Sequence, residues 1–281
     1  MGKMTSIKLV ATDLDGTLLN DSHLVSLEDQ KTLRKLGEQE IIRVIATGRN
    51  VRKIREVILD NRLFDYLIFS SGAGIIDCRQ QERLIYHRNI MAETVTLLQK
   101  ELQSSDLNFF VFYPVPENSR CCFFRGSQPC EEFDRYIQIH RDYAFPLMNS
   151  DLFQNGACQF LIMFKTLDRF QQMDRRLSTM FPGLKILRAS SPLGTDYVWM
   201  EIFHCEVSKG NAVRFLCELN HIDRKSTLGI GNDFNDLDLL GYTYYSYLVD
   251  NAPKELKDKG FLAAPDHQSS ALSFCVASHC P

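Results

Sequence analysis

The sequence predicts an α/β fold: a doubly wound, Rossmann-like parallel sheet with an inserted α+β domain. Apolar strands alternate with helical segments at both ends of the chain, which is typical of strand–helix–strand units around a parallel sheet. Between these ends the strands become short and pairwise, as in antiparallel sheets. From this change we predict a core domain of residues 1–79 and 196–281 and an inserted domain of residues 80–195.

The first alternating part begins with the stretch at residues 7–19, which predicts a buried strand that ends in a tight turn at Gly16. Residues 27–38 carry apolar side chains at a spacing suited to a surface helix. A strand within residues 41–49, a helix at residues 51–59 and a strand at residues 66–69 complete this part.

The remaining elements follow from the same patterns. Short strands are predicted at residues 74–78, 83–90, 108–113, 121–125, 158–164, 184–188 and 197–203, with helices at residues 91–103, 130–140 and 168–180. The alternation resumes with helices at residues 208–220, 235–240 and 253–259 and strands at residues 226–230, 245–249 and 261–264. Its return places the inserted domain within the sequence of the core domain.

Composition narrows the classes of function. A formal net charge of −3 gives no electrostatic basis for binding nucleic acid or an anionic membrane, so a small-molecule partner is expected. No stretch approaches the roughly 18 apolar residues of a transmembrane helix, and no signal peptide is indicated. The nine scattered cysteines form no C-x-x-C pair, which favours reduced thiols and a cytoplasmic location. The oligomeric state is not indicated.

Two carboxylates stand where the first predicted strand ends. Asp13 and Asp15 start on the same side of the chain because side chains along a strand alternate, with Leu14 turned away. The carboxyl end of such a strand is the ligand crevice of an open α/β sheet. Two like charges this close indicate either a cation between them or an acid and a base. The simpler alternative is a turn with solvated aspartates.

Two further turns offer groups that suit an anion. Thr47 and Gly48 follow the second strand with a hydroxyl and unhindered backbone N–H groups, which would suit phosphate oxygens. Ser208 is a plausible helix N-cap, and Lys209 lies in the first turn of that helix. A cation there faces the positive end of the helix dipole, so Lys209 invites a negative partner. A routine turn and a solvated lysine are the alternatives.

A fourth polar segment, Asn-Asp-Phe-Asn-Asp at residues 232–236, follows a predicted strand and precedes a helix. Acidic residues at this place could simply cap the helix. The segment nevertheless has more oxygen-bearing side chains than capping requires, and hard oxygen ligands in this number are what Mg²⁺ takes. The four segments end at successive strands of one predicted sheet, so they are expected to form one site.

The four segments resemble, in order, the motifs of the haloacid dehalogenase (HAD) superfamily: D-L-D-G-T, A-T-G-R, S-K-G-N-A and G-N-D-F-N-D. Thr47 follows Asp13 too closely to leave room for a cap, whereas the long stretch before Lys209 has that room. This layout is similar to that of the Cof-type subfamily with a type IIB cap. The resemblance implies an Mg²⁺-dependent phosphatase of small phosphorylated metabolites, such as sugar phosphates.

The resemblance also implies a role for each site residue. Asp13 would be the nucleophile that takes the phosphoryl group as an aspartyl-phosphate, and Asp15 would be the acid and base. The phosphate would be held by Thr47, Gly48, Lys209 and Asn235. The Mg²⁺ ligands would come from Asp13, the backbone carbonyl of Asp15, and the loop residues Asn232, Asp233 and Asp236.

Two positions depart from the family pattern. The fourth motif is usually G-D-x-x-N-D, and Asn232 stands at its first Asp, with Asp233 displaced by one. Because Asn offers only a neutral carbonyl oxygen, we expect Asp233 to enter the metal shell directly or through water. Ser71 stands where the family often has Asn before Gly-Ala, which bears on contacts to the substrate.

Other functions are weighed against this one. A phosphomutase of the superfamily commonly carries its cap between the first two motifs. A calcium-binding loop would need a third acidic ligand where Thr17 stands, and a dinucleotide site would need a third glycine. An inactive phosphate sensor is the alternative that Asn232 raises. Several charged residues in or near the inserted domain could contact a substrate, although surface charge is the simpler interpretation of each. They are His87, Arg88, Arg120, Arg125, Arg188 and Asp196.

Overall fold

A computed structural model of the protein describes residues 6–148 and 153–279. The strands are β1 (Leu9–Thr12), β2 (Ile42–Ala46), β3 (Tyr66–Phe69), β4 (Gly74–Asp77), β5 (Arg83–His87), β6 (Phe109–Phe112), β7 (Cys121–Phe124), β8 (Ala144–Pro146), β9 (Phe160–Phe164), β10 (Leu184–Ser190), β11 (Val198–His204), β12 (Thr227–Gly231), β13 (Tyr245–Val249) and β14 (Leu262–Ala264). The α-helices are α1 (Leu27–Glu38), α2 (Val51–Arg55), α3 (Ala92–Ser104), α4 (Glu131–Ile139), α5 (Leu167–Met180), α6 (Lys209–Leu219), α7 (Leu237–Tyr242), α8 (Lys254–Lys257) and α9 (Ala271–Ala277).

The chain forms two compact units. The first comprises Met1–His87 and Ser208–Pro281, and the second, inserted between them, comprises Arg88–Val207. No helix among residues 6–148 and 153–279 is long and apolar enough to cross a membrane.

An eight-stranded sheet in the order β14-β13-β12-β1-β2-β3-β4-β5 forms the first unit. The strands from β14 to β3 are parallel, and β4 and β5 are added as antiparallel strands at one edge. One face of this sheet packs on α6 through buried side chains that include Leu9, Val44 and Val213. The predicted doubly wound parallel core is therefore confirmed. In it β12, β1 and β2 lie side by side and their carboxyl ends share one edge.

The second unit has a six-stranded sheet in the order β10-β11-β9-β6-β7-β8, which is antiparallel except for the parallel pair β7 and β8. Its core joins strand side chains such as Phe109 and Phe160 to Leu98 of α3 and Leu177 of α5. The predicted α+β insertion is thus present. Its two ends meet, because Arg88 Nε lies 2.6 Å from Glu206 Oε2.

The borders of the inserted unit differ from those predicted. We placed them at residues 79/80 and 195/196, but β5 pairs with β4 of the first sheet, whereas β11 pairs with β9 and β10 of the second. The hydrogen-bonded partners of a strand, and not its composition, decide which sheet it joins. The structure therefore moves residues 80–87 into the first unit and residues 196–207 into the second.

Candidate functional site

Asp13 is the first residue after β1, and it lies at the shared carboxyl edge of the parallel strands. Its backbone N–H donates to the Ile230 carbonyl of β12 at 2.9 Å, which fixes where its side chain begins. β1 ends at Thr12, so strand alternation does not extend to Asp15. The two carboxylates have different partners. Asp13 is 4% exposed, whereas the Asp15 side chain is 43% exposed.

Lys209 joins Asp13 to the acidic loop. The Ser208 hydroxyl caps α6 by accepting from the Asn211 N–H at 3.0 Å, as predicted, and this start of the helix places Lys209 within the core. Lys209 Nζ donates to Asp13 Oδ1 at 2.6 Å and to Asp236 Oδ1 at 2.5 Å. The lysine is 1% exposed, which rules out a solvated side chain.

Asp236 organises the loop that follows β12. Its Oδ2 accepts from the backbone N–H groups of Asn232 at 2.9 Å and Asp233 at 3.0 Å, while Oδ1 binds Lys209. Asp233 completes a capping box with Asp236. Both carboxylate oxygens of Asp236 are thus engaged, and direct ligation of a metal by Asp233 or Asp236 stays a prediction.

Burial and charge change the proton affinities of this cluster. Burial and the nearby Asp236 carboxylate raise the pKa of Asp13 to about 8, although the Lys209 ammonium acts against that rise. Burial lowers the pKa of Lys209, but Asp13 and Asp236 outweigh burial and raise its pKa above the usual value. Lys209 therefore stays a cation, whereas ionising Asp13 at its buried position costs free energy.

This cost predicts a dependence of stability on pH. With its pKa raised from 3.8 to about 8, Asp13 contributes stability that is fully present below pH 3.8 and is lost as the pH rises to about 8. The Asp13→Asn variant lacks this dependence. In EDTA, we expect the free energy of unfolding of the wild type to fall relative to the variant across this range. Denaturant unfolding at stepped pH measures it, and parallel curves would contradict the assignment.

Asp15 is held by an arginine that sequence reasoning quoted in a motif without assigning it a role. Arg49 Nε donates to Asp15 Oδ2 at 2.7 Å and Arg49 Nη2 donates to Oδ1 at 2.6 Å, a bidentate pair. Arg49 Nη1 also donates to the Lys53 carbonyl at 3.3 Å. The carboxylate of Asp15 is therefore fixed in orientation. Proton transfer from Asp15 requires these hydrogen bonds to rearrange.

Thr47 lies at the end of β2, next to β1 in the sheet. The residue is buried, its N–H donates to the Ile68 carbonyl at 3.0 Å, and its hydroxyl accepts from the Arg49 N–H at 3.1 Å. Gly48, between them, is half-buried. The Thr47 carbonyl accepts from the N–H of Ser71 at 2.9 Å, so the position that departs from the family pattern is buried beside the second motif.

Asn232 is in contact with the first motif. One terminal atom of its carboxamide lies 3.1 Å from the Asp15 backbone oxygen, 3.3 Å from Asp13 Oδ2 and 3.2 Å from Thr17 Oγ1. The other terminal atom lies against Gly16, where an added Cβ would be only 2.7 Å away. Gly16 also has a φ of +69°, so two constraints favour glycine in this turn. The fourth motif thus reaches Asp13 and Asp15, as predicted.

The remaining loop residue, Asn235, lies with its Oδ1 3.5 Å from Lys209 Nζ. A residue without a predicted role, Asn251, donates from Nδ2 to the Gly16 carbonyl at 2.8 Å and accepts from the His267 N–H at 3.3 Å. It follows β13, so the end of a further parallel strand, beside those of β1, β2 and β12, contributes to the site. The signal in the sequence is the Asp-Asn-Ala-Pro segment at residues 250–253, which directly follows a predicted strand.

The six charged residues named in or near the insertion belong to both units of the chain. Arg88 pairs with Glu206, and Arg125 pairs with Asp134 at 2.5 Å. Arg120 lies over the Tyr113 ring, 4.7 Å from its centroid. His87 belongs to the first unit and is exposed, Asp196 is exposed, and Arg188 lies on β10. Substrate contacts by these residues stay predictions.

The donors at this edge fit a hard divalent cation. The Asp13 carboxylate, the Asp15 backbone carbonyl and the Asn232 carboxamide bring oxygen atoms together. Among residues 6–148 and 153–279, no three His, Cys, Asp or Glu side chains are grouped so that they could hold a metal ion. Of the three donors named here, Asp13 alone offers a charged side chain. Such oxygens suit Mg²⁺, which readily keeps water in its remaining positions.

Comparison with known proteins identifies the family of the chain. The sequence model of a family described as haloacid dehalogenase-like hydrolase matches residues 10–272. The phosphatase YwpJ of Bacillus subtilis is 25% identical over 267 residues, which cover 89% of this chain and 92% of that protein. The B. subtilis 5-amino-6-(5-phospho-D-ribitylamino)uracil phosphatase YwtE is 22% identical over 288 residues, covering 96% and 97%.

A solved structure shows the same fold. A HAD subclass IIB sugar phosphatase superposes with a TM-score of 0.74 at 17% identity, covering 96% of this chain and 98% of the other. The family model spans nearly all of both units and includes the four motifs whose side chains meet at the carboxyl edge of the sheet. The chain therefore belongs to the haloacid dehalogenase-like hydrolases, as the resemblance of its motifs implied.

Proposed function

We propose that this protein is an Mg²⁺-dependent phosphatase of small phosphorylated metabolites that works through an aspartyl-phosphate on Asp13. The observation that carries the proposal is the buried contact between Asp13 and Lys209 at the carboxyl edge of the sheet. A carboxylate held beside a fixed cation can attack a phosphorus atom while the cation offsets the charge of the transferring group.

In the first step, a carboxylate oxygen of Asp13 forms a bond to phosphorus as the bond from phosphorus to the ester oxygen breaks. The leaving alkoxide takes a proton from Asp15, so the alcohol departs neutral. Lys209 balances the charge on Asp13 and on the transferring phosphoryl group. The Thr47 hydroxyl and the backbone at Gly48 would bind phosphate oxygens, with Asn235 beside Lys209.

In the second step, water attacks the phosphorus atom of the aspartyl-phosphate. Asp15, now a carboxylate, takes a proton from this water, the bond from phosphorus to the Asp13 oxygen breaks, and inorganic phosphate leaves. Mg²⁺, when bound by Asp13, the Asp15 carbonyl and the loop after β12, would supply electrostatic neutralisation of the phosphate oxygens. Asp15 needs a defined position in both steps.

The Arg49 fork predicts a kinetic effect. Arg49→Lys keeps the charge but cannot form two parallel hydrogen bonds to the Asp15 carboxylate, so the base that takes a proton from water in the second step loses its orientation. We expect kcat to fall about tenfold to a hundredfold with little change in KM. The matched control is Arg43→Lys, because Arg43 holds Asp65 in a similar fork at 2.9 and 3.0 Å. Equal kcat losses in both variants would show a merely structural effect.

Sugar phosphates or related compounds are the substrate class that we propose. Its support is the family, together with relatives that are named as a sugar phosphatase and as a phosphatase of a phosphorylated ribitylaminouracil. A cytoplasmic location is part of the proposal. Its support is that the described cysteines are not joined by disulfide bonds: Cys78, Cys121, Cys122, Cys130, Cys158, Cys205, Cys217 and Cys275.

The test is hydrolysis of a panel of phosphorylated metabolites, with and without Mg²⁺, measured as released phosphate. We expect Mg²⁺-dependent turnover that prefers some members of the panel. The absence of one carboxylate at Asn232 favours one rival function, a phosphate-binding sensor with weak catalysis. Phosphate binding without turnover of any panel member would support that sensor and contradict the phosphatase.

A further inference from the structure

Asn232 departs from the family pattern of the fourth motif, and its contacts indicate how its side chain responds to a cation. The inward terminal atom of its carboxamide faces the Asp15 backbone oxygen and Asp13 Oδ2, at 3.1 and 3.3 Å. A carbonyl oxygen accepts hydrogen bonds and cannot donate them, and the same holds for Asp13 Oδ2 when its carboxyl group is ionised. An amide nitrogen turned inward therefore satisfies both, whereas an inward oxygen would face two other oxygens and repel them.

The opposite orientation suits a cation. Ligands at right angles around Mg²⁺, each about 2.1 Å from the ion, lie about 3 Å from one another. The separations of 3.1 and 3.3 Å between the inward atom and its two oxygen neighbours match this spacing. An Asn232 carbonyl oxygen at the same position would thus join Asp13 Oδ2 and the Asp15 carbonyl as ligands of one ion.

The surroundings allow both orientations. The Thr17 hydroxyl, 3.2 Å from the inward atom, can donate to an oxygen there or accept from a nitrogen. The amide oxygen and nitrogen are nearly equal in size. Exchanging their positions by rotation therefore needs no additional space next to Gly16. Only rotation about the Cβ–Cγ bond of Asn232 is required.

We propose that the Asn232 carboxamide takes two orientations. Without a divalent cation its nitrogen donates to Asp13 Oδ2 and the Asp15 carbonyl. When the cation binds, the carboxamide rotates so that its oxygen becomes a ligand. Mg²⁺ then competes with an internal hydrogen-bond donor of the protein. A carboxylate at this position would have no such donor. It would repel Asp13 without the ion and attract the ion more strongly.

The inference takes only the identity of the cation from the proposed function, and its test needs neither substrate nor turnover. Mg²⁺ affinity is measured by calorimetry, and thermal unfolding is measured in EDTA and in saturating Mg²⁺. We expect Asn232→Asp to bind Mg²⁺ roughly tenfold or more tightly than the wild type. In EDTA the same variant should melt about 3 °C or more below the wild type, and Mg²⁺ should reverse this difference.

The matched control is Asn20→Asp, which adds the same charge at an exposed turn. Asn20 Oδ1 accepts from the N–H groups of Ser22 and Leu24 at 3.0 and 3.1 Å, and a carboxylate can accept the same bonds. We expect this control to leave Mg²⁺ affinity and its effect on melting unchanged. Equal Mg²⁺ affinities for Asn232→Asp and Asn20→Asp would overturn the inference.

The turn itself is followed by NMR of ¹⁵N-asparagine-labelled protein, with the Asn232 side-chain NH₂ pair assigned by its loss in Asn232→Asp. We expect this pair to shift with the same Mg²⁺ dependence that calorimetry gives. An unmoved pair at saturating Mg²⁺ would overturn the inference, as would a larger loss of affinity in Asp233→Ala than in Asn232→Ala. Mg²⁺ responses as expected without hydrolysis of any phosphate ester would contradict the phosphatase and leave this inference standing.

Discussion

The Asp13→Asn variant is expected to fold and to lose hydrolysis of a generic aryl phosphate by several orders of magnitude. Asp13 is the buried carboxylate bound by Lys209, and an amide in its place cannot form the covalent intermediate that we propose. Single-turnover and steady-state rates measure the loss. Retention of a tenth of the wild-type kcat would contradict the role of Asp13 as nucleophile.

Two controls accompany this variant. Far-UV circular dichroism and thermal unfolding test whether it is folded. We expect a folded variant, because the raised pKa of Asp13 means that its buried charge costs free energy, and the amide removes that cost. Asp65→Asn changes another partly buried aspartate that pairs with an arginine, Arg43, away from Lys209. We expect this second variant to keep its activity, so that only the loss in Asp13→Asn reports on the chemistry.

The Lys209→Met variant is expected to lose both activity and stability. Removing the ammonium leaves the Asp13 and Asp236 carboxylates buried without their shared cation, at 4% and 0% exposure. Breaking one partner out of a buried ion pair typically lowers the free energy of unfolding by about 3–5 kcal/mol. Denaturant unfolding measures this change, and the same assays as for Asp13→Asn measure turnover.

A surface lysine provides the comparison. Lys257 lies 2.7 Å from Asp250 with both side chains well exposed, so Lys257→Met should cost less than about 1 kcal/mol. Adding Asp13→Asn to Lys209→Met should restore part of the lost stability, since it removes one of the uncompensated carboxylates. Additive losses in the double variant would mean that Lys209 and Asp13 are not coupled.

Local patterns predicted most of the core sheet. The helix at residues 27–38 and the strands at residues 66–69 and 245–249 have the observed bounds, because polar turns or capping residues flank them closely. Two elements were missed. β8 is a three-residue strand that ends in Pro146, and α9 has seven residues preceded by Ser270 in a left-handed conformation. Segments this short carry too few residues for a periodic pattern.

The sequence predicted which segments meet at the site, because it predicted where the parallel strands end. Parallel strands bring their carboxyl ends to one edge, so the meeting of Asp13, Thr47 and the loop after β12 follows from fold class. Which side chains bind each other does not follow. Arg49 binds Asp15 although the two residues are 34 positions apart in the sequence. The prediction that strand alternation relates Asp13 to Asp15 was wrong, because β1 ends at Thr12. Partner choice depends on the turn geometry of each loop, which residue types alone do not determine.

The meeting of the two ends of the inserted unit has a consequence for how the protein folds. Asp13 and Lys209 are separated by 196 positions, and the entropy lost on closing a loop grows with its length. Arg88 and Glu206 join the ends of the insertion, so once it has folded the first unit has only a short connection to close. Contacts between distant segments slow folding. If the insertion folds early, most of the kinetic disadvantage of bringing Asp13 and Lys209 together across this separation is removed.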